Sequence, residues 1–138
     1  LQIAKFCEWD GSNLQVDTAL RPKKMANSFG TGEELVRLNN FGADIIRFSA
    51  GEGVQNHTHP GDHILFVLSG SGYVIYEGHG EPLVPGICYL VKGEADHAIK
   101  ASTDLVLIAV GNNHQRVDQE LRMTPVPYRD ETPELMRV

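Results

Sequence analysis

Four histidines, at positions 57, 59, 63 and 97 of a 138-residue chain, carry the clearest chemical signal in the sequence. Side chains two apart on an extended strand share one face, so His57 and His59 can present two imidazoles to a single point. Pro60, Gly61 and Asp62 read as a turn, after which His63 opens the next strand and can return to that point. His97 can arrive from a later neighbouring strand. Imidazole nitrogen is a common ligand for zinc, iron and nickel, so the pattern predicts a mononuclear site holding one divalent metal ion per chain, with zinc, iron, nickel or manganese as the choices. An isolated histidine is more often a solvated or hydrogen-bonded strand residue. That is how His79, between glycines in an expected hairpin turn, and His114, in a polar segment, are read.

Strands must position these side chains. Nine of the fourteen glycines fall between positions 51 and 93, separating short runs rich in Val, Ile, Leu and Tyr. Such punctuation predicts turns between strands, with strands expected at 44–48, 54–59, 63–68, 72–76, 89–91, 97–100 and 105–110. The expected fold is all-β, a sandwich or small barrel of hairpin-connected strands. Residues 33–38 are readable either as a helical turn or as an outer strand. After Gly111 the chain turns polar and proline-bearing, which predicts a tail leaving the barrel, with a short helix near 117–123. That tail would lie along the surface or on a neighbouring subunit.

Composition narrows the function classes. Hydrophobic residues make up 41% and charged residues 22% of the chain, as in ordinary folded proteins. This length supports a single domain over 1–138, with an N-terminal segment at 1–43, a core at about 44–111 and a tail at 112–138. Twelve basic against eighteen acidic residues give a formal charge of −6, and no Lys/Arg stripe with interleaved aromatics is present. Nucleic acid is therefore not expected as a partner. The longest apolar runs fall far short of the roughly 20 residues of a membrane span, so no membrane partner is expected. The opening residues lack a signal-peptide pattern, and a cytoplasmic location is the expectation. Cys7 and Cys88 have no C-x-x-C spacing and read as buried free thiols.

The stretch from Gly51 through His57, His59 and His63 to Gly70 resembles the first conserved motif of the cupin superfamily, and Pro85-Gly86 followed by Gly93 and His97 resembles the second. The resemblance covers about half the chain. It implies a jelly-roll barrel of the double-stranded β-helix type, a metal at one end of the interior and frequent homodimers. Carried over by position, the implied metal ligands are His57, His59, the residue at 63 and His97. The chain departs from the pattern in three places. His63 stands where glutamate is usual, Ile87 where an aspartate commonly follows the glycine, and the stretch from Lys92 to His97 lacks the usual proline and is one residue longer.

Four neutral imidazoles leave the 2+ charge of a metal uncompensated, which strengthens it as a Lewis acid and as an anion receptor. The expected function is therefore lyase- or isomerase-type chemistry on an anionic, oxygenated small molecule such as a sugar acid. An Fe(II) dioxygenase and a non-catalytic metabolite-binding protein are the alternatives. A general base or substrate contact is sought among Arg47, Gln55 and Tyr89. Arg47 interrupts an apolar run and could clamp a carboxylate, Gln55 would share the face of His57 and His59 if the extended pattern reaches back to it, and Tyr89 lies on an expected strand.

Overall fold

The computed structural model describes residues 1–9, 11–12, 14–16, 23–26, 28–112 and 123–138. The strands, in chain order, are β1 Cys7–Trp9, β2 Leu14–Val16, β3 Lys23–Lys24, β4 Thr31–Leu38, β5 Phe41–Phe48, β6 Gly53–Thr58, β7 Asp62–Ser69, β8 Gly72–Tyr76, β9 His79–Leu83, β10 Cys88–Lys92, β11 His97–Ala101, β12 Leu105–Gly111 and β13 Thr124–Pro125. β1 and β2 form a separate hairpin. The others make a six-stranded sheet in the order β10-β7-β12-β5-β4-β3 and a five-stranded sheet in the order β13-β6-β11-β8-β9. Every pairing is antiparallel. The two sheets face each other as the jelly-roll sandwich the sequence predicted, over a core that includes Phe48, Val67, Leu83, Leu105 and Leu107. Among the described residues no helix is long and apolar enough to cross a membrane.

Residues 33–38 form a strand rather than a helical turn. β4 pairs along its length with β5 through a tight reversal at Asn39 and Asn40, and Asn39 takes the left-handed conformation at φ 55° that asparagine tolerates. β9 was not expected. The turn before it consists of Glu77 and Gly78, both at positive φ, so Tyr76 pairs with His79, and His79 opens a strand instead of lying in the turn. That two-residue geometry matches the twist of a hairpin. Cys88 is exposed and Cys7 half-buried, which corrects the reading of both as buried thiols.

The described part of the tail folds back onto its own chain. β13 pairs with β6, Lys100 Nζ donates to the Arg137 carbonyl at 2.7 Å, and Thr132 Oγ1 donates to the Gly78 carbonyl at 3.3 Å. Ala98 and Ile75 pair across β11 and β8 on the outward side of the five-stranded sheet and are nonetheless buried, as a covering tail requires. The short helix expected near 117–123, apart from Met123, lies outside the described residues, as does His114.

Candidate metal centre

Strand register brings the histidines together from both sheets. On the five-stranded sheet His57 of β6 pairs with His97 of β11. On the six-stranded sheet His63 of β7 lies between Val91 of β10 and Gly111 of β12, and Gly111 in turn pairs with Gly42 of β5. This row includes two glycines, Gly111 and Gly42, and at Gly111 the reason is visible. A methyl group there would land on the His63 imidazole and on the Asp62 carbonyl oxygen.

One nitrogen of His57, of His59 and of His97 is already committed. Nδ1 of His57 is 2.8 Å from the Gln55 carbonyl oxygen, Nδ1 of His97 is 2.8 Å from the Ala95 carbonyl oxygen, and Nδ1 of His59 is 3.2 Å from the Pro60 carbonyl oxygen. A carbonyl oxygen only accepts, so each Nδ1 carries a proton, and in the neutral ring the lone pair is left on Nε2. Metal-bound histidines are oriented by this same arrangement. Burial pushes the His97 pKa down to about 4, against the smaller upward pull of its bond to Ala95, so this imidazole is neutral near pH 7.

Nε2 of His59 and Nε2 of His97 are 3.0 Å apart. Two neutral nitrogens that face each other with lone pairs repel, unless a cation or a proton lies between them. Two nitrogens at right angles on a metal 2.1 Å away would be separated by about 3.0 Å. The ligand atoms of His57, His59 and His97 all lie within 4.8 Å of one another. The donor set and its geometry therefore fit a divalent metal held by three histidines. The His63 ring centroid is 4.6 Å from that of His59, close to this trio but outside it.

The histidines open onto a cavity of about 50 Å³, also lined by Met25, Asp44, Ile46, Val54, Leu65, Tyr89 and Ile99. Tyr89 faces this cavity. Part of the residue reaches the surface, but its hydroxyl oxygen is buried and has no hydrogen-bond partner among the described residues, and burial pushes its pKa up. Arg47 does not line the cavity. It lies on a separate groove with Thr31, Glu52 and Asp104, one residue out of phase with the inward-facing Asp44, Ile46 and Phe48.

Gln55 is exposed, and the reason is a register shift. His97 pairs with His57 and Ile99 with Val54, so three steps on β6 oppose two on β11. This bulge resets the alternation. Val54, not Gln55, shares the inward face of His57, while the Gln55 backbone carbonyl orients the His57 ring.

Two groups of residues bear on this site without having been singled out in the sequence. Asp44 is a buried acid on the cavity wall, and its phase with Ile46 and Phe48 was the signal for it. On the outward side, Asn56 and Asp96 directly precede His57 and His97. Asn56 Nδ2 donates to Asp96 at 3.1 Å and to the Pro127 carbonyl at 3.1 Å, while Arg129 grips Asp96 with two bonds of 2.6 and 3.2 Å. The Arg129 guanidinium holds the Asp96 carboxyl below the usual carboxylate range. The tail thus braces the two strand positions that carry the His57 and His97 pair, and nothing in the sequence spacing announced it.

Comparison with known proteins agrees with this architecture. Residues 44–111 match the cupin domain family. No curated protein matches the sequence. Among solved structures, the polyketide cyclase RemF from Streptomyces resistomycificus is similar at 15% identity and a TM-score of 0.64, over 81% of this chain and 83% of that one. An RmlC-like cupin from Shewanella frigidimarina is similar at 17% identity and a TM-score of 0.64, over 84% and 97% of the two chains. A predicted oxalate decarboxylase from Thermotoga maritima is similar at 21% identity and a TM-score of 0.60, over 66% and 90%. A match to the cupin domain family over residues 44–111 and these structural neighbours together show that the chain has the cupin fold.

Proposed function

We propose that the chain binds one divalent metal ion through His57, His59 and His97, with His63 as a fourth ligand, and acts as a lyase or isomerase on a small anionic, oxygenated molecule. The observation that carries this reading is the pair of Nε2 atoms 3.0 Å apart on imidazoles whose Nδ1 atoms face backbone carbonyls. When bound, the metal would supply Lewis-acid polarisation of a substrate oxygen. The chain's own residues do the rest. The histidines are all neutral ligands and add no negative charge, so they favour an anion at the site. The apolar walls from Ile46, Val54, Leu65 and Ile99 exclude water from the reacting group and strengthen electrostatic effects on it. Asp44 is the carboxylate in reach of the cavity for moving a proton.

The test is turnover with and without oxygen. Metal-loaded protein is incubated with short oxygenated carboxylates and sugar acids in air and under argon, and products are followed by NMR. The reading expects conversion that is unchanged under argon. Conversion that consumes dioxygen and requires ferrous iron would replace it with a dioxygenase, and binding without conversion would replace it with a metabolite-binding protein.

We also propose that a second copy of the chain covers the outer face of the six-stranded sheet. Ile64, Phe66 and Leu90 are 40, 43 and 60% exposed there. Cross-strand pairing joins them to one another and to Cys88, Ile108 and Val110 in a patch without a charged residue. This exposed apolar patch, with the Asp62 and Lys92 pair at its edge, matches itself about a two-fold axis. Light scattering should give about twice the chain mass of 15.2 kDa. A monomer mass at micromolar concentration would contradict the proposal.

A further inference from the structure

The Tyr89 hydroxyl is a buried polar group that the described residues leave without a partner. Tyr89 lines the cavity of the histidines, its hydroxyl oxygen is shut off from solvent, and no described residue bonds to it. A buried donor without a partner costs stability, and exchanging it for an apolar group of the same shape is close to neutral or stabilising. Packing alone would be served as well by phenylalanine. Register fixes where the hydroxyl-bearing residue stands. Tyr89 pairs with Leu65, which pairs with Ala109, which pairs with Asp44, forming the row one step deeper than the row of His63, Val91 and Gly111.

The cavity limits what can reach that row. Its volume is about 50 Å³. One water position needs roughly 10–15 Å³ on the same scale, so only a few non-hydrogen atoms fit. Apart from the histidines, Asp44 and Tyr89, the interior walls, among them Val54, Leu65, Val74, Val91 and Ile99, offer no hydrogen bonds. A polyhydroxylated chain pushed inward would strand its hydroxyls against these side chains, at the same cost that now falls on Tyr89.

We infer that Tyr89 is a substrate-binding residue that donates its hydroxyl hydrogen to an oxygen of a short 2-hydroxy or 2-oxo carboxylate of about two to four carbons, either free or as the head of a longer molecule. This rests on the metal reading above, because the carboxylate is what the metal and its neutral ligands draw to the mouth of the cavity. The hydroxyl then selects ligands that carry an acceptor at the right depth, since a ligand without one leaves the donor stranded.

The test compares wild type with Tyr89→Phe in three measurements. The first is zinc uptake by calorimetry, expected to be equal in the two proteins. A wild type that takes up no zinc would fail the metal reading, and that result is read separately from the other two. The second is the melting temperature without metal, where Tyr89→Phe should be equal or higher. A lower value would mean that the hydroxyl has a structural partner, and would overturn the inference. The third is glycolate binding to the zinc-loaded proteins, expected to be about tenfold weaker in Tyr89→Phe. Equal glycolate affinity would overturn the role of Tyr89. Glucuronate, with its carboxylate on a polyhydroxylated ring, should bind wild type more weakly than glycolate if a free short acid is the ligand. Comparable affinity that still falls in Tyr89→Phe would support the head-group form, and tighter binding that ignores the variant would overturn the size argument.

Discussion

Replacing His57 and His97 together by alanine is expected to lower metal affinity by about four orders of magnitude. Zinc sites with four protein ligands gain on the order of 10–16 kcal/mol, or roughly 3 kcal/mol per ligand, so two lost imidazoles remove about 6 kcal/mol. These two are chosen because they are adjacent in register and are the most buried of the trio, at 7 and 4% exposure. His79, exposed at the start of β9, is the control, and its alanine variant should bind as wild type. Competition with a coloured chelator measures both. Near-normal affinity in the double variant would remove these histidines from the site.

The second large effect is expected from one methyl group. Gly93 lies where an added Cβ would meet the carbonyl oxygens of Gly61 and His59 and the Nδ1 of His59. Its own carbonyl accepts from the His59 amide at 2.8 Å, and its amide donates to Asp62 at 3.1 Å. The two nearest obstacles are backbone oxygens on both sides of the turn, so they cannot rotate away as a flexible side chain would. Gly93→Ala is expected to cost roughly 1–3 kcal/mol of stability, lowering the melting temperature by roughly 4–12 °C, and to move His59 out of line. Metal affinity should fall by more than tenfold as well, because a shifted outer bonding geometry at a ligand histidine typically costs 10–100-fold. Calorimetry of the unfolding transition and the same chelator competition provide both readouts. A variant as stable and as tightly binding as wild type would mean that the turn from His59 to Asp62 is not held as described.

Much of this architecture was legible because strands buried on one side leave a two-residue rhythm, and because glycine marks the reversals. The strands carrying His57, His63 and His97 were visible for that reason, and so was the convergence of His57, His59 and His97. β9 was hidden because Gly80, Glu81 and Pro82 spoil an apolar pattern, which an edge strand paired on one side tolerates. β4 carries a sequence that suits two periodicities, and only its pairing with β5 decides between them. Gln55 was assigned to the wrong face by a correct rule, since the bulge opposite β11 is a property of the pairing and not of the strand's own residues. Arg47 was a real interruption of an apolar run, but β5 turns it toward the outside. Asp44 could have been found by applying the same alternation one step further back. The brace from Arg129 to Asp96 spans 33 positions and was out of reach of any local pattern.

The central claim is that His57, His59 and His97 hold a metal, and it is tested most directly by anomalous X-ray scattering at the zinc edge from crystals grown with one equivalent of zinc. The account predicts one strong peak per chain, within bonding distance of Nε2 of all three histidines, with His63 turned toward it. An empty map at the trio, or a peak held only by other side chains, would contradict the account.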